Sequence, residues 1–103
     1  MKEQEDPRQL GTVEVMDTTL RDGEQMQDGS YAPEEKLNIA RLLLEEVRVD
    51  RIEVASARAS RGEERAVALI MQWAAAQGCA ERVEVLGFVD GSASLQWARR
   101  LGV

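Results

Sequence analysis

An arginine and an aspartate stand side by side at Arg21 and Asp22, with Gly23 next to them. A carboxylate can hold a hard divalent metal, and a guanidinium can stabilise an oxygen that gains negative charge. Glycine lets the backbone turn sharply and admits a ligand close to the main chain. Glu53 is the third such residue. It lies between Ile52 and Val54, so in a strand it faces away from both apolar neighbours. In an open sheet that side can be solvated. In a closed barrel it points inward, where an unpaired carboxylate is costly and needs a cation, for which Arg21 is the obvious choice. Read more plainly, Glu53 is a solvated strand residue and Arg21–Asp22 a loop ion pair without chemistry.

The elements that must position these residues alternate in period. Thr12–Met16 reads as a first strand, and residues 18–32 as a loop. Pro33 suits the first turn of a helix, with Glu34 and Glu35 favourable at its N-terminus. Leu37, Ala40, Leu44 and Val47 fall on one face of that helix, with Leu43 beside them. Arg51–Ala55 is the second strand, followed by a small polar loop over 56–62. A second helix spans 63–77 with the stripe Ala66, Val67, Ile70, Met71 and Ala74, stopped by Gly78. Met71 and Trp73 read as packing residues. Val83–Phe88 is the third strand. Asp90-Gly91-Ser92 turns the chain into a short helix over 94–101, with Leu95 and Ala98 inward and Gly102 as its stop. Val103 reads as the opening of a fourth strand.

Three strands alternating with three helices call for parallel pairing and right-handed crossovers. An open doubly wound sheet and part of a (β/α)8 barrel both fit. Both place functional residues at the C-terminal ends of strands, where Asp17, Arg21, Asp22, Glu53 and the 88–90 region cluster.

The chain has 103 residues, 44% apolar and 31% charged, with a net charge of −6. That suits one small globular domain. No basic stripe marks a nucleic-acid surface. No run spans a membrane, and no apolar signal core opens the chain. The single cysteine, Cys79, cannot form an internal disulfide, which points to a reducing, cytoplasmic setting. With no histidine to activate it, Cys79 reads as a structural thiol. Residues 1–11 read as a flexible lead, and 12–103 as the folded part.

The run Asp17-Thr18-Thr19-Leu20-Arg21-Asp22-Gly23-Glu24-Gln25 closely resembles the first-strand signature of metal-dependent Claisen-type condensing and lyase barrels. That group includes 2-isopropylmalate, homocitrate and citramalate synthases and the hydroxymethylglutaryl-CoA lyases. The likeness continues through Glu34–Ala40, which is similar to the family's first helix, and Val49–Val54, similar to its second strand. The resemblance implies the first three βα units of a (β/α)8 TIM barrel. It also implies an acyltransferase that condenses acetyl-CoA with a 2-oxo acid, in leucine or related amino-acid biosynthesis. A divalent metal ion (Mg, Mn or Zn) would polarise the ketone. By matching positions, Asp22 would be a metal ligand, Arg21 would steady the enolate or alkoxide oxygen, Gln25 would donate to the oxo acid, and Glu53 would orient Arg21. Asp17 would support them.

Two departures stand out. Asp28-Gly29-Ser30-Tyr31 replaces a Gly-Val-Ser-Phe-like stretch. Ala55-Ser56-Ala57-Arg58 replaces Gly-Phe-Pro, which alters the acceptor pocket and keeps citramalate and homocitrate synthase as alternatives. Arg58 is either a carboxylate contact or a surface arginine. The family's remaining metal ligands form a His-x-His pair, and this sequence has no histidine. A full barrel also needs roughly 250 residues. The sequence therefore reads as an N-terminal fragment, inactive alone, whose raw edges favour homo-oligomers or a partner. The rival from another class is a non-catalytic binding domain descended from such a barrel. A doubly wound phosphate-binding domain would need a glycine-rich strand-to-helix turn, which is absent.

Overall fold

The computed structural model describes residues 13–24, 32–58 and 60–103. Gln25 and the 1–11 lead lie outside these residues. The elements run β1 (Met16–Asp17), α1 (Thr19–Glu24), α2 (Pro33–Arg41), a π turn (Leu42–Val47), β2 (Arg51–Ser56), α3 (Arg61–Gln77), a 3₁₀ turn (Ala80–Arg82), β3 (Val83–Leu86) and α4 (Ala93–Arg100). The three strands form one parallel sheet in the order β1-β2-β3. The described chain is thus an α/β structure, consistent with part of a βα repeat.

Ile52 and Val54 of β2 are fully buried in one core cluster with Ala40, Leu44 and, from α3, Val67, Ile70 and Ala74. Alternation along β2 sends Arg51 and Glu53 to the opposite face, where Glu84 of β3 stands in register with Glu53. The apolar stripe of α3 is buried at all five expected positions. Ser60 caps its start by accepting the Glu63 amide at 3.3 Å. Gly78, at φ 74°, ends it.

Several expectations need correcting. β1 is two residues long; Val15, just before it, bonds to the turn into β2 instead: its carbonyl accepts the Asp50 and Arg51 amides, and its amide donates to the Asp50 carboxylate at 2.7 Å. The stretch after β1 is not all loop. Asp17 Oδ1 accepts the Thr19 amide at 2.8 Å and starts α1, whose Leu20 is buried in the core. Val47 is 60% exposed, because the π turn adds a residue to the last turn and rotates it off the stripe. Arg48, at φ 62°, then reverses the chain.

Strand β3 ends at Leu86, so Phe88 leaves the sheet and its amide donates to Ser94 Oγ at 3.0 Å. In α4 the buried residues are Ser94 and Trp97, while Leu95 is exposed. The indole takes the inward position because its N–H finds an acceptor, Glu64 Oε2 at 3.3 Å. Val103 belongs to the cap of α4. The Gly102 and Val103 amides donate to the carbonyls of Arg99 (3.1 Å) and Ala98 (3.0 Å), a Schellman closure.

Candidate functional site

Arg21, Asp22 and Glu53 meet at the C-terminal end of the β1–β2 pair. α1 delivers the first two directly after β1, and β2 delivers Glu53 from its polar face. Arg21 Nε donates to Glu53 Oε1, and the Arg21 Nη2 nitrogen lies 2.9 Å from Asp22 Oδ1. One guanidinium therefore spans two carboxylates. The other Asp22 oxygen accepts the Thr18 hydroxyl at 2.8 Å. Exposure is graded: the Glu53 side chain is 13% exposed, Arg21 23% and Asp22 59%. The inner carboxylate holds the arginine and the outer one faces solvent. Gly23, next to Asp22 within α1, is buried.

An exposed aspartate oxygen is the right donor type for a hard cation, but a single carboxylate is too few. Among the described residues no three His, Cys, Asp or Glu side chains come together to hold a metal. The described residues do not by themselves fit a metal ion.

The other sequence candidates are placed differently. Asp17 caps α1 rather than facing Arg21. Arg58 takes a left-handed conformation, φ 63°, just past β2 and pairs with Asp90 just past β3 at 3.1 Å. The Asp90 carboxyl is held below the usual carboxylate range, first by the Ser94 hydroxyl, then by the Ser94 amide, with a smaller contribution from Arg58. Burial pushes the Cys79 thiol above its ordinary value, the direction of an unreactive cysteine. A groove of about 500 Å³ between α3 and the last turn is lined by Leu69, Met71, Ala75 and Leu101 with Arg65 and Gln72; none of the clustered charges reaches it.

Sequence reasoning missed Lys36, the largest fully buried side chain among the described residues, at 1% exposure. Its Nζ donates to the Val54 carbonyl at 3.0 Å and pairs with Glu63. Its position, four residues before the buried Ala40, was the available signal.

A parallel sheet with helices between its strands, carrying a charged cluster at its strand ends, defines a βα-repeat domain of the kind that hosts sites at that end. The chain belongs to the HMGL-like family, whose model matches residues 12–87. It is 46% identical over 81 residues to a putative (R)-citramalate synthase of Methanopyrus kandleri, covering 78% of this chain and 16% of that protein. It is 50% identical over 58 residues to the (R)-citramalate synthase of Methanocaldococcus jannaschii, 56% of this chain and 12% of that protein. It is 52% identical over 58 residues to a 2-isopropylmalate synthase of Paracidovorax citrulli, 56% of this chain and 11% of that protein. The chain thus spans less than a fifth of the length of these relatives. Among the described residues no helix is long and apolar enough to cross a membrane.

Proposed function

We propose that this chain forms the first three βα units of a (β/α)8 acyltransferase of the 2-isopropylmalate synthase type, joining acetyl-CoA to a 2-oxo acid. Citramalate or homocitrate synthase is the alternative within the class. The observation that carries the reading is the Arg21 guanidinium held by Glu53 at the strand ends. In it, a cation is fixed where an enolate or alkoxide oxygen would gain charge, so little reorganisation is needed as that charge develops.

In this reading Glu53 fixes the direction of Arg21, and Asp22 offers one oxygen to a divalent cation completed by groups outside the described residues. Such a cation would supply polarisation of the acceptor ketone. Gln25 is assigned a donor role toward the oxo acid. The chain alone is proposed to be inactive and cytoplasmic, and to associate through its strand edges. Exposed Val13, Val15 and Met16 at β1 and Phe88 and Val89 beyond β3 support that association.

Grafting residues 12–87 in place of the matching segment of the Methanopyrus relative tests the activity, with 2-oxo-acid-dependent thiol release from acetyl-CoA as readout. The reading expects release by the folded chimera and none by the 103-residue chain. A folded chimera without release for any of a panel of 2-oxo acids would overturn it.

A further inference from the structure

We propose that Lys36 is a positioning residue for the Arg21–Glu53 pair: its buried ammonium takes the carbonyl of the extra residue in a β2 bulge and so sets the direction in which Glu53 leaves the strand. The inference rests on the functional reading above and adds a residue to it.

The register of β2 on β3 breaks immediately after Glu53. Glu53 stands opposite Glu84, Ala55 opposite Val85, and Val54 between them has no partner on β3. A bulge of this kind bends its strand and re-aims the side chains beside it. Strand β1 gives no support at this level, since its pairing ends at Asp17 opposite Ile52. The Val54 carbonyl instead accepts from Lys36 Nζ at 3.0 Å. A backbone oxygen buried at a sheet irregularity needs such a donor.

A lysine is a costly way to supply one. Its charge must be compensated when it is taken from water, and unpaired it would not stay charged. Glu63, in the first turn of α3, provides the compensation. Lys36 therefore ties α2, the β2 bulge and α3 together at one point. An apolar residue of similar length would pack there without the penalty, so the ammonium's distinctive contribution is geometric. It fixes the Val54–Ala55 peptide, one residue beyond Glu53. The side chains of Lys36 and Glu53 leave this peptide region on opposite faces of the sheet, so Lys36 acts through the backbone and does not touch the Arg21 cluster.

The test is proton exchange at Arg21 Nε, followed by nitrogen-detected NMR on the 103-residue chain. In the unaltered chain this proton should exchange at least ten-fold more slowly than that of exposed Arg61. Lys36→Met should speed it at least ten-fold while the amide protection of α4 is unchanged. Lys36→Arg, which keeps a charged donor, should restore slow exchange. Arg100→Gln, which breaks a different ion pair to α3, should leave it unaltered. Should Lys36→Met fail to fold, Glu63→Asp carries the comparison, because it draws the ammonium off the Val54 carbonyl while keeping the charges. Slow exchange at Arg21 in a folded Lys36→Met or Glu63→Asp chain would overturn the proposal. That result would leave the acyltransferase reading standing; an inactive chimera with slow Arg21 exchange would overturn the reading and leave the positioning role intact.

Discussion

Arg21 and Glu53, 32 positions apart in sequence, are joined side chain to side chain across the parallel β1–β2 pair, and both are largely screened from solvent. Neither is placed by its own element alone. Arg21 arrives because Asp17 starts a helix directly after β1 and Leu20 buries it. Glu53 arrives because β2 alternates and then bulges.

Glu53→Gln keeps the shape of the side chain and removes its charge, leaving Arg21 half-shielded without its strongest partner. Urea denaturation should show a loss of about 1–3 kcal/mol. Arg100→Gln, which breaks a pair whose arginine is 61% exposed, should cost under about 1 kcal/mol. Equal losses would mean that the Arg21–Glu53 contact is no more than a surface pair.

Ile52 is fully buried in the central strand and belongs to the hydrophobic core cluster. Ile52→Ala should destabilise the chain by about 2–5 kcal/mol, through lost transfer energy and the cavity left behind. The midpoint of thermal or urea unfolding checks this. Leu95→Ala, at an exposed site on α4, should change stability little.

Asp90 gives the structure an acid-sensitive joint between the β3 end and α4. Its folded carboxyl titrates below the unfolded value of about 3.9. The unfolded chain therefore binds the proton more readily. The stabilisation is present above the unfolded value and is lost as pH falls through the lower folded one. Ser94→Ala removes the largest cause of the depression, so a ¹³C carboxyl titration should show the Asp90 value rising toward the ordinary range. An unmoved titration would contradict the assignment to Ser94.

Cys79 should behave as a structural thiol. With its ionisation raised by burial, alkylation by iodoacetamide at pH 8 should run slower than for a free cysteine peptide. Alkylation faster than the peptide would mark an activated thiol and contradict this.

The sequence made the long elements legible because their signals are redundant. α3 carries five apolar residues at helical spacing and a closing glycine, which gave its face and its end; its start lies at Arg61 rather than 63, because Ser60 in the preceding polar stretch caps it. The short elements depended on single contacts that no period reveals. α1 is set by local contacts, the Thr19 amide on Asp17 and the Thr18 hydroxyl on Asp22, and the Val15 amide at the edge of β1 donates to Asp50. Val47 left the predicted stripe because a π turn changed the period under it.

At the site, the charged types and spacing of Arg21, Asp22 and Glu53 were readable. The inward lysine is hidden in the sequence, because Lys36 sits in a run of charges that reads as a solvated first turn. Its alignment with Ala40 and Leu44 outweighs that impression once the stripe is extended one turn back.

The central claim is that a guanidinium held by Glu53 meets an oxygen as it becomes negative. The most direct measurement is kcat for 2-oxo-acid-dependent thiol release from acetyl-CoA by the chimeric barrel, with and without Arg21→Gln. Loss of an oxyanion-stabilising donor should lower kcat about 10²–10³-fold. An Arg21→Gln chimera that is folded and turns over at the unaltered rate would contradict the account.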